Sequence, residues 1–487
     1  MNKTKTDPST SALRLFARRF VRVASRLLDA TLDSLDRLGA AILSLIELIF
    51  FPPQTKPKIT VPHITLGTFI SSDNPRVPCF LPFHALDTHL HGRGLTRTGK
   101  SKLIQHICRE LVRERRGFTL FDPNGELFWK VATDLASEGI PAILLNPSDA
   151  DRLVGFDPFV SISKDEAALY TKADRMKKAT LMTWGVEEET QIPRLARLLR
   201  ALYYTLLEQD LSIVAIEHFL NPGHEAQRQA IINRIRNERF RSDWIEFYEG
   251  SKGAVKTYLE STGNRIEIFR HPQMQRVMGL SENSINVKQV IDEGGILLVN
   301  LQPSDIFGID QCRILGTLLI NEIWEITRRR QRPAPHFLIV DECGDYLTPD
   351  IPLMLSQAAK YGLHLMLFHQ YDGQLPVSMR GAFQNARIKC FFTKPRTFQF
   401  CSPYMTAYQT FEDGSQVELP DYPVYVETPY VGRPDIDRAS CEAYYEKSIE
   451  SFMTVDEVDR RLDALKESPN DDAAPANTET DEQDFFE

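Results

Sequence analysis

Long hydrophobic runs are missing from this 487-residue sequence. The longest, Leu38 to Phe51, has 14 residues and contains Glu47. As a helix it would reach about 21 Å at ~1.5 Å per residue, short of a ~30 Å hydrocarbon core. An ordinary membrane span is therefore not expected. No small-residue cleavage pattern follows the run, so a secretory signal is not expected either. Cysteine is sparse, seven residues with no C-x-x-C pair, which argues against a disulfide framework or zinc knuckle and for a reducing cytoplasm. No internal repeat is visible at a period of about 20 to 50 residues. Net positive charge is absent too: 57 basic against 66 acidic side chains give −9. Residues 467–487, however, hold eight acids and no base, leaving residues 1–466 near −1. The body is almost neutral, so net charge does not exclude a polyanionic partner.

What is present is ordinary globular material: 42% hydrophobic, 25% charged and 10% aromatic. That composition excludes a wholly disordered or collagenous chain, and the length suggests two to three packed units. Residues 1–53 are predicted to form an amphipathic helical segment, with apolar positions Leu13, Phe16, Phe20, Val23 and Leu27, then Leu35, Leu38, Ile42, Leu45 and Ile49, stopped by Pro52-Pro53. Its arginines suit a helix lying on an anionic membrane surface or docking a partner. Packing on its own body, or self-association, fits the same pattern.

From residue 54 the pattern changes. A strand ends at Asp87 to His91, an amphipathic helix follows with Leu103, Ile104, Ile107, Cys108, Leu111 and Val112 on one face, and buried strands come at Phe118 to Phe121 and Ala142 to Leu145. Further strands are expected at Gly295 to Asn300, Phe337 to Val340, Leu365 to Phe368 and Ile388 to Phe392. Strands alternating with helices indicate an α/β protein with a mostly parallel, RecA-like sheet. Between Asp165 and Asn283 the sequence is helical in pattern, with Leu195, Leu198, Leu199, Leu202 and Leu206 along one face. The expected division is a core of residues 54–160 and 290–455, an inserted all-α domain over 161–289, and a short helix with an acidic disordered tail over 456–487.

Gly94-Leu95-Thr96-Arg97-Thr98-Gly99-Lys100-Ser101 fits the phosphate-binding loop G-x-x-x-x-G-K-[ST], placed after a strand and at the opening of a helix. Gly94, Thr96, Arg97, Thr98, Gly99, Lys100, Ser101 and Lys102 are the expected ATP cradle. Backbone N–H groups and the helix N-terminus attract phosphate, Lys100 reaches the terminal phosphates, and Ser101 can ligate Mg²⁺. The strand Phe337 to Val340 runs into Asp341-Glu342, so Asp341 is expected in the Mg²⁺ shell and Glu342 as the group that polarises attacking water. A third strand ends in His369-Gln370, where the Gln370 amide could sense the γ-phosphate.

These segments, with Asp122-Pro123-Asn124-Gly125-Glu126, the turn Phe156-Asp157-Pro158-Phe159 and Tyr361-Gly362-Leu363, resemble the HerA/FtsK superfamily of hexameric DNA-pumping ATPases. Among these, the sequence looks most like the conjugative type IV coupling proteins, over roughly residues 60 to 400. The resemblance implies a P-loop ATPase with an inserted helical domain, a homo-hexameric ring and ATP-driven movement of DNA held by its backbone. Asn124 stands where members often have lysine. Many members carry a trans-acting arginine about eleven residues before the sensor glutamine, where this chain has Ala359 followed by Lys360. Lys360 substitutes there, or Arg387 or Arg380 takes the role, or trans-activation is weak; Arg387 or Arg380 is slightly favoured because a planar guanidinium suits phosphate oxygens.

Arginine clusters at 194, 197 and 200, at 234 to 241, and at 328 to 332 are candidate DNA contacts, although pairing with nearby acids on a solvated face fits each cluster better. The tail ending Asp484-Phe485-Phe486-Glu487 fits a plain solubilising extension, and it also suits docking to a relaxosome, secretion-channel or nuclease partner, as does the N-terminal helix. The expected location is cytoplasmic, with peripheral contact at the inner membrane. Two other readings keep the site and change the job: a soluble HerA-like motor working with a nuclease, or a nucleotide-gated scaffold.

Overall fold

The computed structural model describes residues 62–70, 75–160, 163–186, 189–249, 266–331, 333–394, 397–401, 408–410, 416–418, 424–427 and 438–467. The helical segment expected over 1–53 and the acidic tail beyond residue 467 lie outside these. The chain divides into two units, residues 1–60 with 408–417, and residues 61–407 with 418–487. In the first, the described residues are strand β12 (Tyr408–Thr410) and residues 416–417 of strand β13 (Gln416–Glu418). Everything below concerns the second.

Its centre is an eleven-stranded sheet. Seven strands are parallel, in the order β10 (Ile388–Lys394), β3 (Leu90–Arg93), β9 (Leu363–His369), β8 (His336–Val340), β4 (Gly117–Asp122), β7 (Ile296–Asn300) and β5 (Ile143–Leu145). The α/β class read from the sequence is the class found. Strands β4, β7, β8 and β9 are buried along their whole length, which is why they read as continuous apolar runs. Their side chains still alternate. Phe118, Leu120, Leu298, Ile339, Met366 and Phe368 pack with the helices α1 (Lys100–Arg113) and α2 (Glu126–Glu138) on one face. Phe121, Val299, Leu338, Val340, Leu365 and Leu367 join the core on the other. Helices cover both faces, as parallel strands require.

The sheet does not close at β10, where the apolar pattern fades. It continues antiparallel through β11 (Thr397–Cys401), β14 (Val424–Glu427), β1 (His63–Ile70) and β2 (Pro75–Pro82). Asp87 and Thr88, expected in a strand, belong to a 3₁₀ turn at Phe83–Thr88, and the strand begins at Leu90. Two-residue strands β6 (Arg152–Leu153) and β15 (Met453–Thr454) pair with each other, an isolated ladder too short for periodicity to register.

Between Asp165 and Asn283 the described residues form helices and turns: α3 (Glu166–Thr183), α4 (Pro193–Glu208), α5 (Ile216–Leu220), α6 (Glu225–Arg234), α7 (Glu238–Glu249) and α8 (Pro272–Met278). Asp165 caps α3 by accepting the Ala168 N–H at 3.0 Å. The five leucines named on α4 are all buried. α9 (Val287–Asp292) leads into β7, and α10 (Ile309–Arg328) follows it. Ion pairs tie α3 to α10: the buried Lys172 meets Glu322 at 2.8 Å, and the half-buried Arg175 meets Glu325. α11 (Ile351–Gln357) and α12 (Val377–Arg380) flank β9; α13 (Arg438–Ile449) and α14 (Val455–Glu467) end the described chain.

Candidate functional site

Parallel strands present their carboxyl ends on one edge, and the sheet order places β3, β9, β8 and β4 side by side there. The loop from Gly94 leaves β3 and enters α1. Gly99 caps the helix with φ 106°, and its carbonyl accepts the Leu103 N–H at 3.0 Å. That left-handed φ is open to glycine and strained for other residues. A Cβ on Gly94 would stand 2.7 Å from the Cβ of Phe392, so the loop lies close on the neighbouring strand. Thr98 holds the turn through its hydroxyl on Leu95 O at 2.7 Å. Thr96 and Arg97 are exposed at the loop tip. The Lys102 ammonium turns along the helix to Gln105 Oε1 at 3.4 Å, so only its backbone is offered to the loop.

Lys100, Asp341 and Glu342 meet although 240 residues separate the segments that carry them. The Lys100 ammonium lies 3.0 Å from Asp341 Oδ1 and donates to Glu342 Oε1. All three are buried, Lys100 6% exposed, Asp341 1% and Glu342 8%. Burial pulls the lysine pKa down, but the two carboxylates outweigh it and hold the ammonium above its ordinary value. Burial also raises the Asp341 pKa against the opposing pull of Lys100. Glu342 is set at the strand end in the left-handed region, φ 47°, an uncommon conformation for a side-chain-bearing residue. Its own N–H binds Asp341 Oδ1 at 3.0 Å, which orients the two carboxylates relative to each other.

Ser101 Oγ reaches Asp341 Oδ2 at 3.4 Å. Two hard oxygen donors beside a phosphate loop fit a small divalent cation such as Mg²⁺, which takes few protein ligands and fills its octahedron with phosphate and water. Gln370 donates from Nε2 to Glu342 Oε1 at 3.0 Å and accepts from Thr96 Oγ1 at 3.3 Å, bridging the phosphate loop and the carboxylate. Thus Lys100, Ser101, Asp341, Glu342, Gln370 and Thr96 converge. Arg380 and Arg387 do not belong to that cluster: both are exposed, and Arg380 Nε donates to Leu375 O at 3.0 Å.

The other motifs prove structural in their contacts. The Asp122 carboxylate is buried and accepts the N–H groups of Asn124 and Phe128 at 2.9 and 2.8 Å, stapling β4 to α2. Asp157 accepts from Ser281 Oγ at 2.5 Å and Phe159 N–H at 2.8 Å, while Phe156 and Phe159 are core residues. Of the arginine clusters, Arg197 pairs with Asp243 and Glu246, Arg200 with Asp174 and Glu189, Arg329 with Glu325, and Arg330 with Asp292.

Two features carry no sequence signal. Gln374 donates to Glu342 Oε2 at 3.3 Å; a glutamine four residues past another has no periodicity to mark it. Beneath the loop, His91 on β3 and His369 on β9 stack with ring centroids 4.8 Å apart and Nε2 atoms 2.6 Å apart. His369 Nδ1 faces the Tyr371 carbonyl at 3.1 Å. A carbonyl only accepts, so Nδ1 carries the proton and His91 Nε2 is the donor of the pair. Burial, then the charges of His369, Lys389 and Arg93, push the His91 pKa down to about 2.

No family model matches the sequence, and no curated protein matches it either. Among solved structures, the plasmid coupling protein TrwB in complex with the non-hydrolysable ATP analogue ADPNP aligns with TM-score 0.54 at 15% identity, over 77% of this chain and 96% of that one. The trigonal form of the bacterial conjugative coupling protein TrwBdeltaN70, in complex with sulphate, gives 0.50 at 14% identity, over 77% and 96%. VirB4 of Thermoanaerobacter pseudethanolicus gives 0.45 at 12% identity, over 76% and 96%. The fold of this chain is the fold of the TrwB coupling protein. Among the described residues, no helix is long and apolar enough to cross a membrane.

Proposed function

We propose that the chain is a Mg²⁺-dependent ATPase of the coupling-protein kind, which assembles as a hexameric ring and drives DNA by its backbone through the pore. The observation that carries the reading is the meeting of Lys100 and Ser101 with Asp341, Glu342 and Gln370 at one edge of the sheet. The TrwB fold supports the same reading, since that protein takes an ATP analogue.

In this mechanism the loop N–H groups and the α1 N-terminus bind the triphosphate. The Lys100 ammonium moves from the carboxylates to phosphate oxygens. Ser101 Oγ and Asp341 would hold Mg²⁺, which would neutralise phosphate charge. Glu342, relieved of Lys100, orients and deprotonates water, and Gln370 registers the terminal phosphate through its links to Thr96 and Glu342. Arg380 or Arg387 serves the nucleotide of the adjacent subunit.

Glu342→Gln tests the proposal. It keeps shape and burial and removes the base, so ATP binding should persist while DNA-stimulated turnover falls about 10²- to 10⁴-fold. DNA-stimulated hydrolysis at the wild-type rate in that variant refutes the assignment.

A further inference from the structure

We propose that Gln374 is a second positioning residue for Glu342, one that holds the carboxylate oxygen Gln370 leaves free. The inference rests on Glu342 being the group that activates water. β9 ends at His369, and the chain turns at once through a short 3₁₀ segment, Asp372–Gln374. Gln374 closes the turn with its own side chain: Oε1 accepts the N–H of Gln370 at 2.7 Å and of Tyr371 at 3.3 Å. That leaves the amide Nε2 pointing at Glu342, where it donates to Oε2 at 3.3 Å. Gln370 Nε2 donates to Oε1 of the same carboxylate at 3.0 Å. Each oxygen of Glu342 therefore has its own side-chain amide donor, and Gln374 Oε1 ties its side chain to the backbone of Gln370.

A carboxylate held at one oxygen can still swing about its terminal torsion, which is broad and soft. Held at both, its plane is fixed. The second hold matters most when Lys100 leaves Oε1 for phosphate, because Glu342 then loses its charged partner and keeps the amides. The approach needed is close. A Cβ on Gly344, in the turn after Glu342, would stand 3.0 Å from Gln374 O and 3.1 Å from its Cβ, so the two turns are packed at backbone distance. The Gln374 turn is fastened to the phosphate-loop strand as well, by Arg93 on Asp372 at 2.8 Å.

The alternative is that Gln374 merely caps its turn, and two substitutions separate the roles. Gln374→Glu keeps an Oε acceptor for the Gln370 and Tyr371 N–H groups but replaces the donor facing Glu342 with a second carboxylate. Gln374→Ala removes both functions. The experiment uses the full chain with DNA: steady-state ATPase kinetics, binding of a non-hydrolysable ATP analogue, and thermal melting of each variant. A positioning role predicts kcat lower by about 10- to 100-fold in both variants, with KM changed less than about two-fold, because substrate binding is not what was removed. It also predicts that Gln374→Glu, which keeps the turn's acceptor, regains none of the kcat lost in Gln374→Ala, whereas a capping role predicts full recovery. Gln374→Glu with wild-type kcat, beside an inactive Glu342→Gln, overturns the inference alone. A wild type without ATPase activity, or a Glu342→Gln as active as wild type, overturns the functional reading and this inference with it.

Discussion

Mild acid should destabilise this protein through histidines that its central sheet keeps neutral. His336 on β8 is fully buried and shares its Nε2 with Thr119 Oγ1 at 2.9 Å; burial, then Arg330 and His364, push its pKa down to about 3. His89 accepts the Leu365 N–H at Nδ1 at 3.2 Å, and burial followed by the charge of His364 lowers it to about 4. His91, whose pKa falls to about 2, needs His369 as an acceptor at 2.6 Å; a proton added at that acceptor would set two N–H donors against each other. Unfolded, each histidine titrates near ~6.5. The folded values lie below that, so between roughly pH 6.5 and the folded pKa the unfolded chain binds more protons. The stability these groups contribute is complete above about pH 6.5 and is lost as pH falls.

At pH 5.5 the loss is about 1.4 kcal/mol per histidine, so about 4 kcal/mol for the three, a large part of the ~5–15 kcal/mol that holds a typical domain. His364 and His369, both lowered by burial, add in the same direction. Asp122, Asp157 and Asp341, raised by burial, act oppositely, so the histidine contribution is best isolated by difference. Urea melts followed by circular dichroism at pH 7.5 and 5.5 should show wild type losing several kcal/mol. His336→Leu should show a pH dependence smaller by about 1.4 kcal/mol. Equal pH dependence in the two proteins refutes the reasoning, because His336 would then be protonated to the same extent folded and unfolded.

The ion pairs that tie α3 to α10 give a second stability test. Lys172→Ala leaves Glu322 buried without its partner and should cost about 3–5 kcal/mol, whereas Lys172→Met with Glu322→Met should recover much of that in the same melts. For the trans-acting arginine, Arg387→Ala or Arg380→Ala mixed with Lys100→Ala should regain ATPase activity above either parent. A ring can then pair an intact site with an intact finger. Wild-type rates from both arginine variants alone would remove both residues from that role.

How much of this could be read from the sequence follows from how local each signal is. The phosphate loop, the strand ending in Asp341-Glu342 and the helix with Leu103, Ile107 and Leu111 were legible because each combines a residue pattern with a buried face whose period is fixed by backbone geometry. The antiparallel extension through β11, β14, β1 and β2 was not. Its membership in the sheet depends on long-range pairing, such as Thr68 with Glu427, which leaves no mark in either strand. Gln374 and the His91–His369 stack were hidden for the same reason: their partners come from a turn and from a strand 278 residues away. The arginine clusters bear out the paired reading: Arg197, Arg200 and Arg330 meet acids supplied by other helices, and Arg329 meets Glu325 one turn back on its own helix.

The long-range pairings also explain how the proposed reaction could be ordered in time. With Lys100 between Asp341 and Glu342, the cation and the base occupy each other. A triphosphate competes for the ammonium, so substrate binding and release of the base become a single exchange of partners, and the base is not free before substrate arrives. Gln370 lies on both sides of that exchange, on Thr96 of the loop and on Glu342. Its strand, β9, is paired residue by residue with β3, from Leu90 with Met366 to Arg93 with His369. The loop that binds phosphate and the turn that holds the base are thus continuations of two adjacent parallel strands. Displacement of one therefore strains the ladder unless the other follows. The turn past Gln374 leads through Arg380 and Arg387, the two residues proposed above as the trans-acting arginine, into β10.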